Sequence, residues 1–207
     1  MFFAPLSHKS VGLSFNPIKA LISPRPIGWI SSKGKDGSVN LAPYSFFNGV
    51  SDDPPMIMFA AGSNPDGSHK DSLRNVTETG EFTVNIVGSE YLDEMNITSG
   101  AYPYGENEFD AAGLTMIPGD TVDVPRVDKV AAALECRHYQ TVDMPKNAAG
   151  AAYAVVFGTI TGIYINDDVI VDGKVAYDRY KPLCRLGYHD YAEINDTFTL
   201  TRPEIKT

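Results

Sequence analysis

The chain has 207 residues, of which 43% are hydrophobic and 21% charged, an ordinary globular composition long enough to bury a core as one domain spanning 1–207. A formal net charge of −9 with no clustered run of Lys and Arg argues against nucleic acid or anionic membrane as a partner, and no run approaches the length of a membrane span. The start, MFFAPLSHKS, places a Pro and a His in a very short apolar stretch with no basic region ahead, which does not read as a secretory signal, so a cytoplasmic location is expected.

Strand-type patterns dominate the chain in order: Ile27 to Ser32, Val39 to Leu41, Met56 to Ala61, Phe82 to Val87, Ala131 to Val142, Ala152 to Ile165 and Val169 to Val171. Each is short and bounded by Gly, Pro, Asn or Asp, a spacing that suits a barrel. Within the run AVVFGTITGIYI, Gly158 and Gly162 mark bends or bulges where a sheet curls closed. Three short helices are predicted. The first runs from about Asp71 to Thr79, capped by Ser68 or Asp71, with Leu73 and Val76 facing inward and Gly80 stopping it. The second runs from Ser89 to Thr98, capped by Ser89, with Tyr91, Leu92 and Met95 as an apolar stripe. A third covers about Glu106 to Ala112. From Gly100 to Pro125 the chain is rich in Gly, Pro, Asp and Tyr and reads as a long ordered loop.

Several catalytic patterns are absent: HExxH, GxSxG, GxxxxGK[ST], and GxGxxG after a strand. Cys136 and Cys184 lie far apart without a CxxC, which speaks against a disulfide framework or zinc site. Asp167, Asp168, Asp172 and Asp178 lack the spacing and closing Glu of a calcium loop. The four histidines show no mutual ligand spacing, and His138, in a strand pattern, reads as structural. What remains is the step Lys70-Asp71-Ser72 at a helix start, where free backbone N–H groups, the helix dipole, an ammonium and a hydroxyl favour an anion. Its bland alternative is an exposed Lys beside a capped helix. Upstream, Ser31, Ser32, Asn40, Ser45 and Asn48 supply donors and acceptors close to Trp29, Pro43, Tyr44 and Phe46, a mixture suited to an aromatic heterocycle. Together the two stretches suit a ligand flat at one end and anionic at the other.

Taken in order, RPIGWISS, NLAPYSFFN, DDPPMIMF, KDSLRNVTETGEFTVNIV and KPLCRLGYHDY resemble the flavin reductase-like, FMN-binding split-barrel proteins, particularly the flavoredoxin-like branch. The resemblance implies a mainly β fold, a six-stranded antiparallel Greek-key split barrel with a few short peripheral helices, which dimerises with FMN near the subunit interface. It implies FMN contacts at Ile30, Ser31, Ser32, Asn40, Ala42, Pro43, Tyr44, Ser45 and Asn48, and a phosphate site at Lys70, Asp71 and Ser72. Arg185, in the step Arg185-Leu186-Gly187, is placed near the site, and Tyr188 and His189 stand where many relatives have a second small residue. The implied reaction is hydride transfer from NADH or NADPH to flavin, then electron release to free flavin or another acceptor. No metal and no protein nucleophile are required. Arg25 and Arg185 are candidates for the cation that stabilises reduced flavin, although Arg25 equally suits a surface guanidinium or an interface ion pair. Two alternatives stand beside the reductase: an FMN-bound electron carrier reduced by a redox protein partner, and a non-enzymatic split-barrel binding module. Eleven Tyr and ten Phe in a small barrel give a physical motive for a homodimer.

Overall fold

The computed structural model describes residues 1–64 and 66–205. Its strands are, in chain order, β1 (Arg25–Pro26), β2 (Gly28–Lys33), β3 (Val39–Tyr44), β4 (Phe47–Asp52), β5 (Pro55–Gly62), β6 (Glu81–Ile86), β7 (Met116–Ile117), β8 (Arg126–Val127), β9 (Ala132–Asp143), β10 (Tyr153–Ile165), β11 (Ile170–Val171), β12 (Lys174–Val175), β13 (Leu183–Arg185) and β14 (Tyr191–Glu193). The α-helices are α1 (Ile18–Leu21), α2 (Asp71–Thr79), α3 (Leu92–Ile97), α4 (Glu108–Ala111) and α5 (Tyr177–Tyr180).

Seven of these strands form one antiparallel sheet in the order β3-β2-β6-β9-β10-β5-β4. Its two edge strands, β3 and β4, are consecutive in the chain and separated only by Ser45 and Phe46, so the sheet must curl until its edges meet. The edges are not hydrogen-bonded to each other, which leaves the barrel split. Tyr44 on one edge packs its ring 5.1 Å from Phe59 of β5. Gly28 makes room for Phe47: a Cβ there would stand 2.7 Å from the Phe47 ring. The curl itself is set by two register shifts between β9 and β10, at Phe157/Gly158 and Ile160/Gly162. Both glycines read as bends in the sequence therefore sit at bulges, and at Gly158 a Cβ would lie 2.4 Å from the Phe82 ring.

Alternation along the strands divides the apolar residues into two cores. Inside the barrel, Ile30, Phe47, Ile57, Phe59, Phe82, Val84 and Val156 pack with Leu73 and Val76 of α2. Outside it, Trp29, Leu41, Val87, Met95, Phe109, Val127 and Leu183 form a second layer beneath the loops. Trp29 Nε1 donates to Thr98 Oγ1 at 2.8 Å, tying α3 to this layer.

The helix α2 has the predicted limits, with Gly80 in the left-handed conformation at its end (φ 80°). Its predicted cap is corrected: the N-cap is Lys70 with no side-chain bond, and Ser68 instead donates its N–H and hydroxyl to Asp66 Oδ1. The second helix is a short 3-10 turn at Ser89–Tyr91 followed by α3, preceded by Gly88 rather than capped by Ser89. Met95 is buried there but Leu92 is exposed, so Leu92 leaves the apolar stripe. The third helix is confined to Glu108–Ala111, where Asn107 Oδ1 accepts from Phe109 N at 3.0 Å. The stretch 100–125 is ordered, as expected, and contains α4 and β7. Of the expected strand 169–171, Val169 closes a 3-10 turn and Ile170–Val171 form β11. The expected six strands gain a seventh, β4, because FNGVSD reads as turn chemistry; it is an edge strand exposed from Asn48 to Asp52.

Candidate functional site

The edge strand β3 separates two recesses, and the strand period of two decides which of its residues serves which. On one face Asn40, Ala42 and Tyr44 line a cavity of about 740 Å³ together with Lys70, Asp71 and Arg74 of α2 and its approach, Tyr102 and Tyr104, and Glu108. On the other face Pro43 and Ser45 line a smaller pocket of about 280 Å³ with Lys19, Arg25 and Arg185.

Lys70 is exposed, and no ion pair holds it among the described residues. It precedes three N–H groups, those of Asp71, Ser72 and Leu73, that an α-helix leaves without intrahelical partners, and no side chain caps them. The Arg74 guanidinium sits over the Tyr104 ring, 3.5 Å from its centre, and pairs loosely with Glu78 at 3.6 Å. Tyr104 Oη reaches Asp36, which fixes this wall of the cavity. Burial raises the Asp71 carboxyl above its usual range, against the pull of Arg74 and Lys70.

Beneath Lys70 lies a buried polar cluster. Glu108 is 4% exposed, and its carboxylate accepts from Leu41 N at 2.9 Å. Burial, with smaller contributions from Asp71 and Glu106, pushes its pKa up to about 7 despite that bond. The Asn40 amide satisfies every neighbour when its nitrogen donates to Glu108 Oε1 (3.1 Å) and its oxygen accepts from the Ser72 hydroxyl (2.8 Å) and Leu41 N (3.2 Å). That orientation suits an ionised Glu108. In the opposite orientation Asn40 Nδ2 donates to Ser72 Oγ at 2.8 Å, and the amide oxygen faces Glu108, which suits a protonated carboxyl. Tyr44 closes the cluster: burial pushes its phenol up to about 12, Asp71 and Glu108 push the same way, and a bond with Ser72 opposes them.

The sequence-predicted residues are therefore distributed over several places. Asn40, Ala42, Tyr44, Lys70 and Asp71 share the large cavity, and Ser72 supports it from behind. Pro43 and Ser45 face the smaller pocket with Arg185. Ile30, Ser31 and Ser32 are fully buried and line neither recess. Ile30 belongs to the barrel core, Ser31 Oγ donates to Pro125 O at 2.5 Å, and Ser32 Oγ accepts from Asn75 Nδ2 at 3.2 Å. Asn48 is exposed on β4 and accepts from its neighbour Gly49 N at 2.9 Å. Arg25 is not a surface guanidinium; it is 5% exposed and bonded to backbone carbonyls, with no ion pair within the chain among the described residues. Tyr188 occupies the left-handed region (φ 56°), where glycine is favoured, and Gly187 lies so close to Ala20 that a Cβ would come within 2.5 Å. His138 is structural in its contacts, with Nε2 2.8 Å from Thr141 Oγ1. Cys136 and Cys184 are free and buried. Sequence reading missed Glu108, Arg74, Tyr102 and Tyr104. The only local hint was an Asn cap followed by Glu and Phe, and a Tyr-rich loop.

Residues 21–183 match the family profile described as the flavin reductase-like domain. The chain belongs to the flavin reductase-like family. Among its relatives, a protein of Aquifex aeolicus is 37% identical over 177 residues, covering 85% of this chain and 87% of its own, and BH2278 of Halalkalibacterium halodurans is 34% identical over 184 residues, covering 89% and 88%. Among solved structures, nitrilotriacetate monooxygenase component B from Bacillus cereus is 30% identical with a TM-score of 0.83, covering 91% of this chain and 98% of its own. The Pseudomonas fluorescens 2-nitrobenzoate 2-nitroreductase NbaA is 32% identical with a TM-score of 0.78, covering 90% and 88%. This flavin reductase-like chain thus has the split-barrel fold of its neighbours, and none of its described helices is long and apolar enough to cross a membrane.

Proposed function

We propose that the protein binds FMN in the large cavity and works as an NAD(P)H-dependent flavin reductase. The single observation that carries this reading is that one cavity touches both the Asn40-Ala42-Tyr44 face and the Lys70-Asp71 helix start. Its volume of about 740 Å³ lies in the range that holds a mononucleotide. Lys70 and the uncapped N–H groups of α2 suit the phosphate, with Arg74 as a second cation within the same wall. Tyr44, Tyr102 and Tyr104 give the cavity an aromatic lining suited to a ring system. The Asn40 amide, held by Glu108, Ser72 and Leu41 N, fixes the polar floor of the cavity beside the ring. Bound flavin supplies the acceptance of hydride from NADH or NADPH and its onward release as electrons to free flavin or another acceptor.

The chain's own part is to hold, orient and shield. The neighbours support this assignment, one being a monooxygenase component and another a nitroreductase, at 30% and 32% identity. Absorption of the freshly purified protein, with the released chromophore identified by mass, tests the cofactor. Anaerobic stopped-flow mixing with NADH and with NADPH tests the reaction, and bleaching of the flavin band is the expected result. Retained FMN with no bleaching by either nucleotide would replace the reductase reading with an electron carrier reduced by a protein partner. A protein that binds no flavin would be a split-barrel binding module. A homodimer is part of the proposal, because Phe2, Leu6, Phe15, Ile163, Phe198 and Leu200 leave apolar surface exposed; sedimentation at micromolar concentration should return twice the chain mass.

A further inference from the structure

The smaller pocket behind β3 has a charge pattern that the rest of the molecule does not prepare for. In a chain of net charge −9, Lys19, Arg25 and Arg185 line it and no carboxylate does. Arg25 is 5% exposed, and its guanidinium is bonded to the carbonyl oxygens of Lys19, Ile22 and Leu186 and to Ser45 Oγ. These acceptors are neutral. They replace lost water without cancelling the charge, and a buried cation is ordinarily paired with an anion. Among the described residues no carboxylate lies within ion-pair distance of it. Arg185 makes the imbalance worse, lowering the Arg25 pKa after burial has already done so. Its guanidinium lies 4.2 Å from the Tyr191 ring centre and, among the described residues, donates only through Nη2, to Tyr188 O at 2.7 Å.

We propose that this pocket binds the carboxylate of a small organic acid, gripped by Arg185 and Lys19 with the Arg25 charge behind them. Two features select that class. A volume of about 280 Å³ is too small for a dinucleotide and suits a ligand of benzoate size. Beside the cations the lining includes Pro43, Tyr188 and Tyr191, apolar and aromatic surface that an inorganic ion leaves unused. The planar fork of Arg185 matches a carboxylate by two parallel hydrogen bonds. Alternate residues along β3 and its end line this pocket and the larger cavity, so a role for the acid as electron acceptor rests on the flavin reading, whereas its binding does not.

Isothermal titration of the full-length protein with sodium benzoate, in the absence of added flavin and again with FMN in excess, tests the site. One benzoate per chain is expected in both, with affinity falling as NaCl is raised from 20 to 300 mM, roughly the range over which screening of a partly exposed charge becomes strong. Arg185→Gln should weaken binding about tenfold or more, with Arg185→Lys in between, and Lys19→Gln should weaken it severalfold. Lys19 is exposed, so its variant keeps the test open if changes at Arg185 impair folding. No benzoate binding at 10 mM, or binding indifferent to both Arg185 and Lys19, overturns the proposal. Displacement of benzoate by FMN would move it to the larger cavity and also overturns it, and binding of phenyl phosphate without benzoate overturns the carboxylate class. A protein that takes benzoate but no FMN would refute the cofactor reading and leave this one standing.

Discussion

The two recesses flanking β3 share a wall yet differ in electrostatic character. Asn40, Ala42 and Tyr44 look toward a large cavity whose lining mixes Asp66, Asp71, Glu78 and Glu108 with Lys70 and Arg74. Pro43 and Ser45 look toward a small pocket lined by three cations and no acid. An edge strand makes this possible, because one side of its backbone is free of a hydrogen-bonded neighbour while its side chains still alternate between two faces. Pro43 illustrates the point: without an N–H it is tolerated in β3 because β3 pairs only with β2. The difference teaches that neighbouring positions in a motif such as NLAPYS need not serve one ligand, since the pleat sends them to opposite sides.

The largest expected effect comes from weakening the shared wall. Leu41 is fully buried in the outer core beneath β3, and Leu41→Ala should cost about 2–5 kcal/mol in urea unfolding. Both recesses should loosen together, with FMN and benzoate affinities falling in parallel. An effect on one ligand alone would show that the recesses do not depend on a common strand.

Next in size is a pH effect confined to the acidic side. Glu108 keeps its proton in the folded protein up to about pH 7, whereas an unfolded carboxyl releases it near 4.5. Because the folded pKa is raised, the stability linked to this proton is fully present below about pH 4.5 and is lost as pH rises through 7. The loss is at most ~3 kcal/mol. His138, whose pKa burial lowers, contributes an opposite slope, so the difference between wild type and Glu108→Gln isolates the Glu108 contribution. That difference should change steadily in favour of the variant between pH 5 and 8. A flat difference would place Glu108 in a wetter setting than its 4% exposure implies.

Much of the fold was legible in the sequence because it rests on short-range chemistry. Gly80 stops α2 by adopting φ 80°, and Gly158 and Gly162 sit at the bulges that curl the sheet. The strand β4 was hidden because its residues are exposed and turn-like, and only pairing with β5 makes them a strand. The Lys70 and Asn40 stretches line one cavity, but the burial of Ser31 and Ser32 was not legible in the sequence. Their hydroxyls are taken up by Pro125 and Asn75, which lie 94 and 43 residues away in sequence. Glu108 was hidden for the same reason: its partner Leu41 N is 67 residues distant, and the Asn cap in ENEFD marks a helix start but not a buried acid.

Below these effects stands the charge at the mouth of the large cavity. Lys70→Ala should weaken FMN binding by roughly 1.5–3 kcal/mol if the ammonium bonds to phosphate, read as a shift in a flavin fluorescence titration. Benzoate binding should change by less than twofold, because Lys70 lines only the other recess. Unchanged FMN affinity would return Lys70 to an ordinary solvated side chain beside a helix start.

The smallest expected effect concerns the support of Glu108 itself. Asn107 caps the four-residue α4 by accepting from Phe109 N at 3.0 Å, and α4 borders the large cavity alone. Asn107→Ala should cost about 1 kcal/mol of stability. Because Phe109 anchors α4 in the outer core, the helix should stay in place while its first turn loosens, and with it the carboxylate that holds Leu41 N and Asn40. The expected signature is a weaker FMN complex with the Glu108 pH dependence displaced toward the ordinary carboxylate range, and benzoate affinity unaltered. If FMN and benzoate binding decline equally, the cap acts through the whole of β3, and the two faces of that strand are mechanically coupled despite their opposite charge.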